Sequence, residues 1–151
     1  MTKNAKIVDK LNKLIQLDYD AIEAYDAAVE KLQNPSYKEQ VAKFGEDHIR
    51  HAEVLSALVD GYGGAAATGP DLKRLLTKGK VVIADLVGGD QAILTAMLAN
   101  EEVTNKTYEA VLSDLGEAEA QTREIVATNL ADERRHRAWM QQQVDREKAA
   151  A

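Results

Sequence analysis

Apolar residues recur at alternating steps of three and four along most of the chain, the spacing that gathers side chains on one face of an α-helix. The first such run is Ile7, Leu11, Leu14, Ala21/Ile22, Tyr25, Ala28/Val29 and Leu32, and it predicts a helix over about 5–33. Asn34-Pro35 stops it, because proline cannot donate to the helical ladder and restricts the residue before it. Ser36 followed three residues later by Glu39 reads as a capping box opening a second helix over about 37–60. That helix carries Tyr37, Val41, Phe44, Leu55 and Leu58, and Gly61 is its expected C-cap.

From Gly61 to Pro70 the chain is glycine-rich and reads as a linker. Asp71 is placed to cap a shorter helix over about 71–87 with Leu72, Leu75, Leu76, Val82, Ile83 and Leu86, weakened at Gly79. Gly88-Gly89 ends it. Asp90 is the expected cap of a long helix over about 90–115, striped by Ile93/Leu94, Met97/Leu98, Tyr108, Val111/Leu112 and Leu115 and closed by Gly116. The last helix is expected over about 119–147, with Ile125/Val126, Trp139/Met140 and Val144. The pattern predicts an all-α fold: a four-helix bundle of two helical hairpins, joined by a long crossover that contains a short extra helix. One domain spans 1–151.

Each stripe is interrupted. Continuing the first through its apolar members brings position 18 onto the same face, and that residue is Asp18. The second stripe runs through His48 and His51, the third through Glu101, and the fourth through Glu133 and His136. Each of these positions lies near the middle of its helix, so an antiparallel bundle brings all six into one layer. The two halves also repeat. Asp18 has Tyr25 two turns on, and Glu101 has Tyr108 two turns on; His48 and His51 answer Glu133 and His136. Residues three apart share a helix face and can reach one ion or two adjacent ions. Imidazole with carboxylate oxygen suits iron, manganese or zinc.

Composition narrows the chemistry. With 45% hydrophobic residues, only 5% aromatics and 2 prolines, the chain suits helices packed on helices. It has no cysteine, which excludes disulfides, iron–sulfur clusters and thiolate zinc sites, and fits a reducing, cytoplasmic setting. The 19 Lys and Arg against 25 Asp and Glu give a formal charge of −6, which argues against nucleic acid or an anionic membrane as the partner. The charged N-terminus lacks the apolar core of a signal peptide, and no apolar run is long enough to span a bilayer.

A lone buried histidine is usually a satisfied core residue, but six ionisable groups in one layer need strong compensation, from metal or from a metal-free histidine–carboxylate network. Tyr25 and Tyr108 read either as core packing or as hydrogen-bond donors to ligand carboxylates. Asp20, Glu23, Asp47, Glu102 and Asp132 flank the stripes and are expected to be solvated.

These residues resemble the ferritin-like superfamily of carboxylate-bridged di-metal bundles, over nearly the whole chain. The superfamily pattern is a carboxylate on helix one, Glu-x-x-His on helix two, a carboxylate on helix three and Glu-x-x-His on helix four. Glu133 and His136 match in full, and Glu101 with Tyr108 is similar to the rubrerythrin type. Among relatives, bacterial ferritin-like domains of unknown function look closest. His48 departs from the pattern, standing where a bridging glutamate is expected, and Asp18 is one methylene short.

The resemblance implies a metal site of Asp18, His48, His51, Glu101, Glu133 and His136, with Tyr25 and Tyr108 behind it. Two ions are expected, iron before manganese or zinc. The implied activity is that of a non-haem di-iron or iron–manganese oxidoreductase acting on O2 or peroxide. The alternative is metal binding or storage, or a stress-related structural role, without turnover. A homodimer is the expected assembly.

Overall fold

The computed structural model describes residues 1–70, 83–116 and 118–151. Among these, four long helices account for nearly all of the chain: α1 (Lys3–Lys31), α2 (Pro35–Gly61), α3 (Gly89–Asp114) and α4 (Ala120–Ala150). No strand occurs among the described residues. None of their helices is long and apolar enough to cross a membrane. Of the expected 71–87 helix, residues 83–85 are helical, 86 and 87 are not, and 71–82 lie outside the described residues.

Local chemistry sets the ends. Thr2 caps α1 by accepting the Ala5 N–H at 3.0 Å. Leu32 and Asn34 are extended, as Pro35 demands of Asn34, so the α1–α2 turn is only a few residues long. The expected Ser36–Glu39 capping box is not formed. Asn34 is the cap, accepting the Ser36 N–H at 2.8 Å, and Pro35 takes the first helical position, where its missing N–H costs nothing. Glu39 pairs instead with exposed Lys43 at 3.2 Å.

At the other end of α2 the left-handed residue is Gly63 (φ 78°), beyond the expected Gly61, and Tyr62 is the C-cap. Asp90 does not cap α3 either. The helix starts one residue earlier, after Gly88 at φ 131°, and the Asp90 carboxylate accepts the backbone N–H groups of Gln33 (2.8 Å) and Asn34 (2.9 Å). It therefore ties the start of α3 to the α1–α2 turn.

The helices form a four-cornered bundle in which α1 packs on α2 and α3, and α4 packs on α3 and α2. Every neighbouring pair is antiparallel. Lys10 near the start of α1 reaches the Asp114 carbonyl at the end of α3, and Tyr37 at the start of α2 reaches Glu147 near the end of α4. The end of α2 and the start of α3 therefore lie at opposite ends of the bundle, and the first residues after α2 stay beside α1. Asn12 holds them through the backbone of Ala65 and Ala67.

The apolar interior is split in two. One lobe gathers Val41, Phe44, Leu94, Met97 and Met140. The other gathers Leu11, Leu14, Leu55, Val111, Val126 and Leu130. Between them lies a waist of buried polar residues.

Candidate metal centre

All six residues that interrupt the stripes meet in this waist. Asp18, His48, His51, Glu101, Glu133 and His136 are each 0% exposed. Their donor atoms fall into two groups. Asp18, His48, His51 and Glu133 form one, and His48, Glu101, Glu133 and His136 form the other, with all donor atoms of a group within 4.8 Å of one another. His48 and Glu133 belong to both.

In the first pocket His48 Nδ1 lies 2.9 Å from Asp18 Oδ1 and 3.4 Å from Glu133 Oε1. His51 Nδ1 lies 3.5 Å from the same Asp18 oxygen and 3.2 Å from the same Glu133 oxygen. In the second pocket Glu101 Oε1 lies 3.7 Å from His48 Nε2 and 3.8 Å from His136 Nδ1, while Glu133 Oε2 is 3.7 Å from His136 Nδ1. His48 thus turns a different nitrogen, and Glu133 a different oxygen, toward each pocket.

The groups behind these donors are exchanged between the two halves. The Tyr108 hydroxyl of α3 donates to Asp18 Oδ2 of α1 at 2.6 Å, and the Tyr25 hydroxyl of α1 donates to Glu101 of α3. Thr104 donates to the other Glu101 oxygen at 3.1 Å. His51 Nε2 of α2 donates to Asp132 of α4 at 2.9 Å, and His136 Nε2 of α4 donates to Asp47 of α2 at 2.8 Å. Those outward bonds leave Nδ1 of both rings facing in, the arrangement by which a carboxylate fixes a metal-ligating imidazole.

Asp47 and Asp132 are therefore not the solvated residues expected from the sequence. Each is half-buried and also receives Arg135, and Arg50 bonds to both as well. Asp20 is buried too, whereas Glu102 is exposed to solvent enough to pair with Arg137 at 2.8 Å. Thr104 and Asn105 on α3 and Asn129 on α4 also lie buried in or beside the waist. Asn105 donates to the carbonyls of Glu101 (2.7 Å) and Glu133 (3.0 Å), tying α3 to α4 beside the centre.

The sequence held a signal for the aspartates. Asp47 and Asp132 each directly precede the first member of a three-spaced pair, and Arg50 and Arg135 directly precede the second.

Without metal, charge is carried by protons. Burial pushes the imidazoles down, but the facing carboxylates outweigh it. Glu133, Asp18 and Glu101 raise His48; Asp18 and Glu133 push His51 up to about 9; Asp47, Glu133 and Glu101 raise His136. Burial and the neighbouring Glu133 raise the Glu101 carboxyl, whereas the three imidazoles hold Glu133 well below its usual range against its own burial.

Five inward-facing atoms nevertheless lack a hydrogen bond to any described residue: His48 Nε2, His51 Nδ1, His136 Nδ1 and both Glu133 oxygens. Buried polar atoms without partners are rare in native interiors, and these converge as two sets of nitrogen and oxygen donors. The residues fit a pair of borderline divalent cations.

The sequence model described as "Domain of unknown function (DUF2383)" matches residues 6–114. The chain belongs to that family. No curated protein matches it in sequence.

Among solved structures it is similar to a ferritin-like, diiron-carboxylate protein from Bacillus anthracis str. Ames. That match has 19% identity and a TM-score of 0.74, over 95% of this chain and 99% of that one. It is also similar to the bacterioferritin of Desulfovibrio desulfuricans, a protein with a diiron site seen in different catalytic states. There the identity is 21% and the TM-score 0.79, over 97% of this chain and 82% of that one. The fold of this DUF2383 member is therefore the ferritin-like four-helix bundle.

Proposed function

We propose that the waist binds two metal ions, iron first and manganese or zinc as alternatives, and that the protein is a non-haem oxidoreductase acting on O2 or peroxide. The observation that carries this reading is the convergence of five unpartnered, fully buried donor atoms into two pockets that share Glu133 and His48. Asp18 and His51 would complete one pocket, and Glu101 and His136 the other. Metal bound there would supply redox change and open positions for an oxidant.

The protein's own groups would keep the donors in place. Tyr108 and Tyr25 orient the Asp18 and Glu101 carboxylates, and Asp132 and Asp47 hold His51 and His136 as Nδ1 donors. Access is narrow. A pocket of about 10 Å³ opens between α1 and α3, lined by Leu17, Ala21, Tyr25, Asn100, Glu101 and Thr104 among others. That is room for about one water-sized molecule, which favours a diatomic or peroxide over an organic substrate. The similar proteins described as diiron-carboxylate and diiron lend the same direction to the metal.

The test is elemental analysis of the purified protein, followed by anaerobic iron(II) loading and measurement of O2 and hydrogen peroxide consumption. Two ions per chain and consumption well above that of free iron(II) are expected. Bound iron with consumption no faster than free iron(II) would assign storage instead. Failure to retain any metal would remove the reading.

A further inference from the structure

We propose that His48 bridges the two ions, with Nδ1 serving the Asp18–His51 pocket and Nε2 the Glu101–His136 pocket, so that an imidazolate rather than a second carboxylate joins the pair. This inference rests on the metal-binding reading above and adds the identity of the bridge.

Three observations carry it. The first is where the ring's two nitrogens sit. Nδ1 is 2.9 Å from Asp18 Oδ1 and 3.4 Å from Glu133 Oε1, while Nε2 is 3.7 Å from Glu101 Oε1. His51 and His136 spend their outer nitrogen on Asp132 and Asp47 and can each serve one ion only. His48 has no such outer partner, and its Nε2 makes no hydrogen bond to a described residue.

The second is confinement. The ring is fully buried and packed by Tyr25 (centroids 4.9 Å apart), His136 (5.2 Å) and His51 (5.7 Å). It cannot swing aside to leave the space between the pockets to a smaller bridge. The donor spacing fits a shared ligand too. Metal bonds of about 2.0–2.1 Å in a tetrahedron put donors about 3.3–3.4 Å apart. All donor atoms of each pocket lie within 4.8 Å of one another, and the first pocket's imidazole–carboxylate separations run from 2.9 to 3.5 Å. Those of the second are 3.7–3.8 Å and need only a small contraction.

The third is charge. Three carboxylates against two divalent cations would leave one positive charge buried, which is costly. An imidazolate adds the missing negative charge. The balance is simple: the first ion displaces the proton on one nitrogen of His48, the second displaces the N–H proton on the other, and both protons leave to solvent.

Zinc(II) serves as the probe, because it has no redox chemistry and can be counted. The full chain is loaded with zinc, the ions per chain are measured, and the zinc–zinc separation is read from X-ray absorption fine structure. The expected result for the native chain is two ions and no zinc–zinc shell below about 4 Å. The ring and its two bonds span about 6 Å, whereas oxygen-bridged pairs lie about 3.5–4 Å apart.

His48→Gln, which has no second nitrogen to offer, should fall from two ions to one. His48→Glu should keep two and show the short shell. Circular dichroism reports whether the variants fold; if they do not, the native spectrum alone decides. A short zinc–zinc shell in the native chain, a single ion in it, or two ions in folded His48→Gln overturns the bridge while leaving metal binding in place. Absence of zinc altogether overturns both.

Discussion

The two apolar lobes and the polar waist between them are built on different rules. In the lobes, residues such as Leu11, Leu14, Leu55 and Val126 are held by shape and by removal from water, and each touches many neighbours of the same kind. In the waist, the side chains behind the site have named hydrogen-bond partners, usually on another helix, and five donor atoms face one another with none among the described residues. A lobe residue can be replaced by another of similar volume at modest cost. A waist residue cannot, because a partner left alone there is a buried polar group without compensation. The lobes hold four helices together, and the waist spends part of that stability to hold donor atoms face to face.

The sharpest way to separate the two regions is to remove Glu133, which faces both pockets. Glu133→Ala should lower metal content from two ions per chain and abolish oxidant consumption, while exposed Glu53→Ala changes neither. Elemental analysis and oxygen-electrode measurements read both effects. Retention of two ions by a folded Glu133→Ala chain would show that the waist is not the metal centre.

The converse change is Leu14→Ala in a lobe. It should cost about 2–5 kcal/mol in denaturant unfolding, the usual range for a large-to-small change in a packed core. The metal count of the folded fraction should not move. If metal is lost in parallel with stability, the two regions are less separate than the structure implies.

A smaller effect is expected outside the ligands. Asp132→Asn and Asp47→Asn leave their rings a weaker outer acceptor and should weaken metal affinity about 10–100-fold without loss of helix. Competition with a chromophoric chelator measures this. Unchanged affinity would make the aspartates part of the surface arginine lattice only.

A further effect is expected in the metal-free protein. His51 holds its proton up to about 9 when folded because Asp18 and Glu133 face it against the pull of burial, whereas an unfolded histidine releases its proton near ~6.5. The folded state therefore binds more protons across that interval. The stabilisation is complete below about 6.5 and is lost as pH rises toward about 9. Urea midpoints of chelator-treated protein should fall across this window, and those of metal-loaded protein should not. A midpoint that rises over the same interval contradicts the assignment.

How much of this was legible in the sequence follows the same division. The stripes were readable because a lobe needs only apolar residues at helical spacing. The six waist residues were readable because they break that spacing where a stripe should continue. Cap chemistry was read less well, because tertiary partners decide it: Asp90 looks like a cap from its neighbours alone, yet its carboxylate is drawn to the backbone of Gln33 and Asn34. Asp47 and Asp132 lie beside the stripes and bond to the opposite helix, so periodicity gives no reason to turn them inward. Only their repeated place before each histidine-bearing pair pointed to them. The tyrosines were placed near the carboxylates, but their exchange between halves is a property of how the hairpins dock.

That exchange has a consequence for the order in which the molecule is made. The pairs that hold the donors join residues far apart along the chain: 76 positions for Tyr25 with Glu101, 90 for Tyr108 with Asp18, 81 for His51 with Asp132 and 89 for His136 with Asp47. Long loops must close before such pairs can form, and contacts of this range come late in folding. Each hairpin alone has its inward atoms without their supports. A chain still emerging during synthesis should then have little hold on a metal ion until α4 is in place, so metal capture reports the completed fold rather than guiding it.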